Sequence, residues 1–260
     1  MFRQLLVVVP LVTWIAASAR AEIRPDFEMD GDPEIHVPAT VMVFSKRLKP
    51  LWLQALARPD ADMQRLAADA IGRGHEGGMP GMDEAVPGLI AILTSPSSHP
   101  AARLAAAQAL VKLDAKQAAK EMAGSAETQG AELRQVVEPA LASWNYEPQR
   151  AVWQARLTAP GVRHRDLVLA IRCLATAHDG SRVAALLDLV HDRFRPPAVR
   201  SEAARAAGLL QERDLEAEAG RLLAGAASTP ILNRLWAGRL RARQAGDAAQ
   251  RLLAQLAVDP

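Results

Sequence analysis

From residue 46 onward, small and apolar positions recur at i, i+3, i+4 and i+7, the buried face of a helix with 3.6 residues per turn. One ten-residue pattern carries most of this signal: apolar, Arg, two variable positions, Ala-Ala, one variable position, then Ala-Leu-Gly. Its clearest copies are Val199–Gly208 and Ala102–Val111. Looser copies are Met63–Gly72, Leu133–Ala142, Asp166–Ala175 and Leu232–Arg241. The copies begin at 63, 102, 133, 166, 199 and 232, in steps of 39, 31, 33, 33 and 33. Three equal steps in succession mark a structural repeat. Ala and Leu are strong helix formers, so each copy is read as a helix. The alanines on its buried face let a neighbouring helix approach closely.

Each copy has a second helical pattern before it. These are Lys46–Ala57, Asp83–Leu93, Gln149–Leu157, Ser181–Val190 and Asp214–Ala224; the third unit is weakest, Ala115–Ala123 followed by a polar gap, Gly124–Gly130. Pro-containing breakers separate the two helices of most units: Arg58–Asp60, Ser95–Pro96, Ala159–Gly161, Arg195–Pro197 and Ser228–Pro230. Proline stops one helix and is accepted in the first turn of the next. The unit is therefore helix, short turn, helix. Neither helix can bury its apolar stripe alone, and stacking unit on unit gives a continuous core without strand pairing. After Asp247, Ala248–Ala257 reads as the first helix of a seventh unit, so the array is expected to be cut mid-repeat at Pro260.

The N-terminal residues follow a different pattern. Arg3 precedes an apolar run from Leu5 to Ile15, and Ala19-Arg20-Ala21 fits a small-x-small cleavage site. These parts predict a secretory signal peptide over 1–21. The apolar run is well short of the roughly 20 residues that span a bilayer, so no stable membrane insertion is expected after cleavage. Residues 22–45 hold Pro25, Pro33 and Pro38 and six acids against Arg24, which predicts an extended acidic leader. Asp30-Gly-Asp-Pro-Glu34 alternates carboxylates, but Ile35 and Val41 stand where a calcium loop needs Gly and Glu. The repeat array is assigned to 46–260.

Charge narrows the partners. The chain carries 31 basic and 29 acidic residues. The signal segment removes Arg3 and Arg20 and no acid, leaving a neutral mature chain and no bulk argument for nucleic acid. Residues 161–205 nonetheless carry eight arginines against five acids. One cysteine, Cys173, excludes an internal disulfide framework and a Cys-based zinc cluster. It occupies an alanine position of the fourth copy and is read as core. Gly72–Gly81 is glycine-dense but has no lysine for a phosphate loop, and is read as a long inter-repeat loop behind the 39-residue step. His178-Asp179 and His191-Asp192 raise the question of a metal site, but both fall at predicted helix ends, where histidine suits the dipole. Trp144, Tyr146 and Trp153 cluster at the third-to-fourth junction and are read as core.

The six copies resemble HEAT repeats, including the short bacterial variety known as phycobilisome-lyase HEAT-like repeats, over roughly 46–260. The resemblance implies an all-α, right-handed α-solenoid of about six two-helix repeats. It also implies a scaffold or binding surface more often than an enzyme, although some members are lyases or hydroxylases. The family's repeat arginine matches Arg103, Arg134 and Arg200, while Gln64, Leu167 and Asn233 depart from it, so a regular ladder is not expected. Hydroxylase members use repeated His-Glu pairs, and this chain has one, His75-Glu76.

The expected function is a non-catalytic, periplasmic or secreted scaffold that binds a protein partner and needs no cofactor. Its second helices are expected to line the concave side. The residues expected to contact the partner are Arg65, Arg103, Arg134, Arg172, Arg205 and Arg239. The alternatives are a repeat segment of a longer exported protein, or a lyase-like or metal-dependent accessory domain.

Overall fold

The computed structural model describes residues 44–45, 47–224, 231–244, 250–251 and 253–254. The predicted signal peptide, residues 22–43 of the leader and the Ser228–Pro230 turn lie outside these residues. So does most of the predicted 248–257 helix, although residues 250, 251, 253 and 254 are helical. The described residues all fall within one compact unit, Met42–Pro260.

This unit is all-helical, with no strand among the described residues. Up to residue 244 the described residues form twelve α-helices in six pairs: α1 (Leu48–Leu56) and α2 (Ala61–Glu76), α3 (Val86–Thr94) and α4 (Pro100–Lys112), α5 (Ala119–Thr128) and α6 (Ala131–Ser143), α7 (Glu147–Thr158) and α8 (His164–Thr176), α9 (Val183–His191) and α10 (Pro197–Leu210), α11 (Glu216–Leu223) and α12 (Ile231–Arg241). Each pair packs on itself, and the second helices pack on one another in chain order. The first helices touch along the row less closely, through α1–α3, α3–α5 and α7–α9.

Small residues explain the close second-helix row. Ala67, Ala68, Ala102, Ala105, Ala106, Ala203, Ala204 and Ala207 are buried there. Gly208 marks the tightest approach. A Cβ at that position would lie 2.4 Å from the carbonyl oxygen of Arg239 and 3.0 Å from that of Leu240, both in α12.

The starts of the second helices follow local chemistry. Asp60 Oδ1 accepts the Met63 N–H at 2.8 Å and caps α2, and His99 Nδ1 accepts the Ala101 N–H at 3.2 Å before Pro100 opens α4. Pro197 likewise opens α10. The ends of four second helices share one device. Gly78, Asp114, Asn145 and His178 adopt positive φ of 78°, 49°, 58° and 51°. The next N–H then donates back five residues: Met79 to Gly74, Ala115 to Leu110, Tyr146 to Leu141 and Asp179 to Leu174. This is the Schellman closure of a helix, used at four successive junctions.

Two predicted loops are helical over part of their length. Gly124–Gly130 was expected as a polar gap, but α5 runs to Thr128 because Ser125 and Ala126 are buried on its inner face. Gly72–Gly81 was expected as a long loop, but α2 continues to Glu76. Its glycines are packing positions: a Cβ at Gly74 would meet the Trp52 ring at 2.9 Å, and one at Gly72 would meet the Lys112 side chain at 2.8 Å.

Candidate functional site

Three of the six arginines expected to face a partner tie the repeats together. Arg134 on α6 donates to Asp166 on α8 at 3.1 Å, with both side chains largely covered. Arg172 on α8 reaches Glu202 on α10 at 3.4 Å, a carboxylate that Arg205 of α10 itself also holds, at 2.6 Å. Arg239 on α12 donates to the Ser201 carbonyl of α10 at 3.1 Å. Arg65 stays within its own helix, 3.7 Å from Asp62 and 3.6 Å from Asp69. Arg103 is half-buried with an unpartnered Nε, beside a cleft of about 290 Å³ that also touches Gln129 and Glu132. Arg172 and Arg205 remain exposed while engaged.

The position of the family arginine is used for irregular ties. Arg200 donates from Nε to the Val190 carbonyl at the end of α9, at 2.8 Å, and lies over the Trp236 ring at 3.7 Å. Gln64 makes the matching bond in the first unit, to the Arg58 carbonyl at 2.8 Å. Below this row, the fully buried Glu138 carboxylate pairs with both terminal nitrogens of Arg156 at 2.8 Å.

The residues weighed for chemistry have structural surroundings. Cys173 is buried, and burial together with the nearby Glu138 charge holds its thiol pKa well above the ordinary value, where it is a poor nucleophile. His178 is the positive-φ residue of a helix closure. Its neighbour Asp179 accepts the Ser181 N–H at 3.1 Å and the Gln154 side chain at 2.6 Å. Burial alone would raise the Asp179 pKa, but these bonds and Arg150 bring it below the usual carboxylate value. His191 meets Glu218 at 2.8 Å, joining α9 to α11. Among the described residues no three His, Cys, Asp or Glu side chains converge as metal ligands. Trp153 is buried, and Trp144 and Tyr146 pack against the core, as read from the sequence.

Two surfaces were missed. A groove of about 850 Å³ lies between the first two units, with Leu53, Leu56 and Ile92 on its apolar walls and Gln64, Ser97 and His99 among its polar ones. Small residues at Gly88 and Ala91 make room for it, a signal visible in the sequence only once α3 is known to face α1. The second surface is the run of turns joining the helices of each unit, where Phe194 stands 85% exposed. An aromatic between two arginines ahead of Pro196-Pro197 was the available signal.

This architecture is an α-solenoid of stacked two-helix repeats. Residues 50–142, the first three units, match the family model of HEAT repeats, which supports a HEAT-repeat family for the chain. No curated protein matches the chain. HEAT repeats commonly serve as scaffolds for protein interaction and are typically not enzymes. No helix among the described residues is long and apolar enough to cross a membrane.

Proposed function

We propose that this chain is an exported, non-catalytic scaffold whose repeat array binds another protein, with the short bacterial HEAT-like repeats as its relatives. One observation carries the reading. The first and fourth positions of the repeat are covered in internal units, at Ala102, Ala105, Leu133, Leu169 and Val199. In the first and sixth units the same positions hold large apolar side chains that stand open: Met63 and Leu66 at 43% and 50%, Leu232 and Leu235 at 39% and 45%. Large apolar side chains left open on a helix are candidate protein contacts. Arg65 and Arg103 stand among the contacts of this surface, and Arg172 and Arg205 add to them from their exposed faces. The burial of Cys173 and the structural use of His178, Asp179 and His191 favour binding over chemistry.

The test is capture with the mature chain from a periplasmic extract, followed by reconstitution with the purified partner. A specific protein that binds again in isolation supports the reading. Capture of no partner overturns it, and stoichiometric metal or turnover would then favour the metal-dependent alternative.

A further inference from the structure

We propose that the α7–α8 and α9–α10 turns form a docking site for a short acidic segment of a partner protein. Arg163, Arg165 and Arg193 supply the carboxylate contacts and Phe194 the apolar anchor. The proposal rests on the scaffold reading and adds a place and a partner chemistry to it.

Charge pairing singles out this place. Of the eight arginines in residues 161–205, four are engaged: Arg172 and Arg205 with Glu202, Arg195 with Asp192 at 3.3 Å, and Arg200 with the Val190 carbonyl. Four of the five acids are used as well: Asp166, Asp179, Asp192 and Glu202 all have partners. Asp188 is the exposed exception, in the last turn of α9, leaving three cations against one carboxylate beside the turn. Arg163, Arg165, Arg182 and Arg193 remain exposed, with no ion pair among the described residues. Arg182 precedes α9, at the opposite end of its unit. The other three collect on one edge, because α8 and α10 pack side by side and begin at His164 and Pro197. His164 is exposed between two of them.

The turn that displays Phe194 is built, not frayed. Asp192 Oδ1 accepts the Phe194 N–H at 2.9 Å, the Asp192 carbonyl accepts the Arg195 N–H at 3.1 Å, and the Arg195 side chain closes on the same aspartate. A fixed turn thus holds an aromatic ring in water, with the Arg193 guanidinium 5.2 Å from its centroid. Aromatic and arginine side chains are the types enriched at binding hot spots. A planar guanidinium matches a carboxylate through two hydrogen bonds. Arg163 and Arg165 also flank the start of α8, where a helix favours negative charge; docked carboxylates would supply it.

The surroundings favour a short acidic protein segment over nucleic acid. The neighbouring α5–α6 turn is flanked by Glu127 and Glu132, both exposed. A polyanion following the edge past two units would meet these carboxylates. Three cations also make a small footprint beside the several phosphate contacts of a nucleic-acid site.

The test is fluorescence anisotropy with the mature chain and a labelled peptide of Asp and Glu residues around one central Leu. Saturable binding is expected. Arg163→Glu with Arg165→Glu should weaken it at least about tenfold, and Phe194→Ala about tenfold. Arg47→Glu with Arg73→Glu, an equal charge change at two exposed positions of the first unit, should leave it unaltered, and all variants should keep the wild-type circular dichroism and melting. Equal binding by the variants, or of an Asn/Gln version of the peptide, overturns the site. Tighter binding of an oligothymidylate of equal charge, lost in the same variants, would overturn the protein-segment assignment. If the arginine variant still captures the partner found with the wild type, the site fails and the scaffold reading survives; if the wild type captures none, the scaffold reading itself fails.

Discussion

Replacing Gly208 with alanine puts a methyl group where α10 meets the backbone of α12. The new Cβ would sit 2.4 Å from the Arg239 carbonyl oxygen, about 1 Å inside ordinary contact. The obstacle is main chain, so no side-chain rotation relieves it, and α12 must move away. Overpacking of this kind costs about 1–3 kcal/mol, and the rigid neighbour puts this case at the upper end. Alanine returns about 1 kcal/mol through its better helix propensity. The net loss is about 2 kcal/mol. In a repeat stack each unit leans on its neighbours, so the loss should concentrate in α11 and α12. Hydrogen exchange should therefore quicken about 30-fold in α12 amides and change little in α2 and α4. Gly124→Ala is the matched control: nothing lies within 4 Å of its added Cβ, and it should stabilise by about 0.5–1 kcal/mol. Unchanged or stronger α12 protection in Gly208→Ala would refute the close-approach argument.

Three further outcomes follow from the same contacts. Arg156→Ala leaves the fully buried Glu138 carboxylate without its partner and should cost about 3–5 kcal/mol; urea denaturation checks this, and Glu138→Leu with Arg156→Met should recover most of it. Asp179 has a folded pKa below its unfolded value, so its contribution is complete above the ordinary carboxylate range and is lost as pH falls through the folded pKa. Asp179→Asn should accordingly show a shallower loss of melting temperature between about pH 5 and pH 2 than the wild type. Arg200→Lys keeps the charge but loses the flat stack on Trp236 and the aligned Nε bond; it should cost about 1–2 kcal/mol and shift the tryptophan emission.

The helix pairs were legible because alanine spacing and proline turns are local signals. The six copies fall on α2, α4, α6, α8, α10 and α12, and Cys173 lies in the core as its alanine position implied. The errors came where one residue type serves two purposes. Glycine usually breaks helices, yet Gly72 and Gly74 stay helical because Lys112 and Trp52 cross them. His178 looked like a ligand candidate and is a left-handed helix closure, a role filled by Gly, Asp and Asn at the equivalent junctions. The arginines show the deeper limit. Periodicity places Arg134, Arg172 and Arg239 on the second helices but cannot say that Asp166, Glu202 and the Ser201 carbonyl lie opposite them. Those partners are about one repeat away in sequence and become neighbours only through stacking.

Stacking is most directly tested by residue-resolved hydrogen exchange across the whole array. Slow exchange should recur with the repeat period, strongest in α4, α6, α8 and α10, which are covered on both sides. Fast exchange should fall at the turns near 58, 97, 161 and 194. A protected stretch running through those turns, or protection without the repeat period, would contradict the architecture on which every other inference depends.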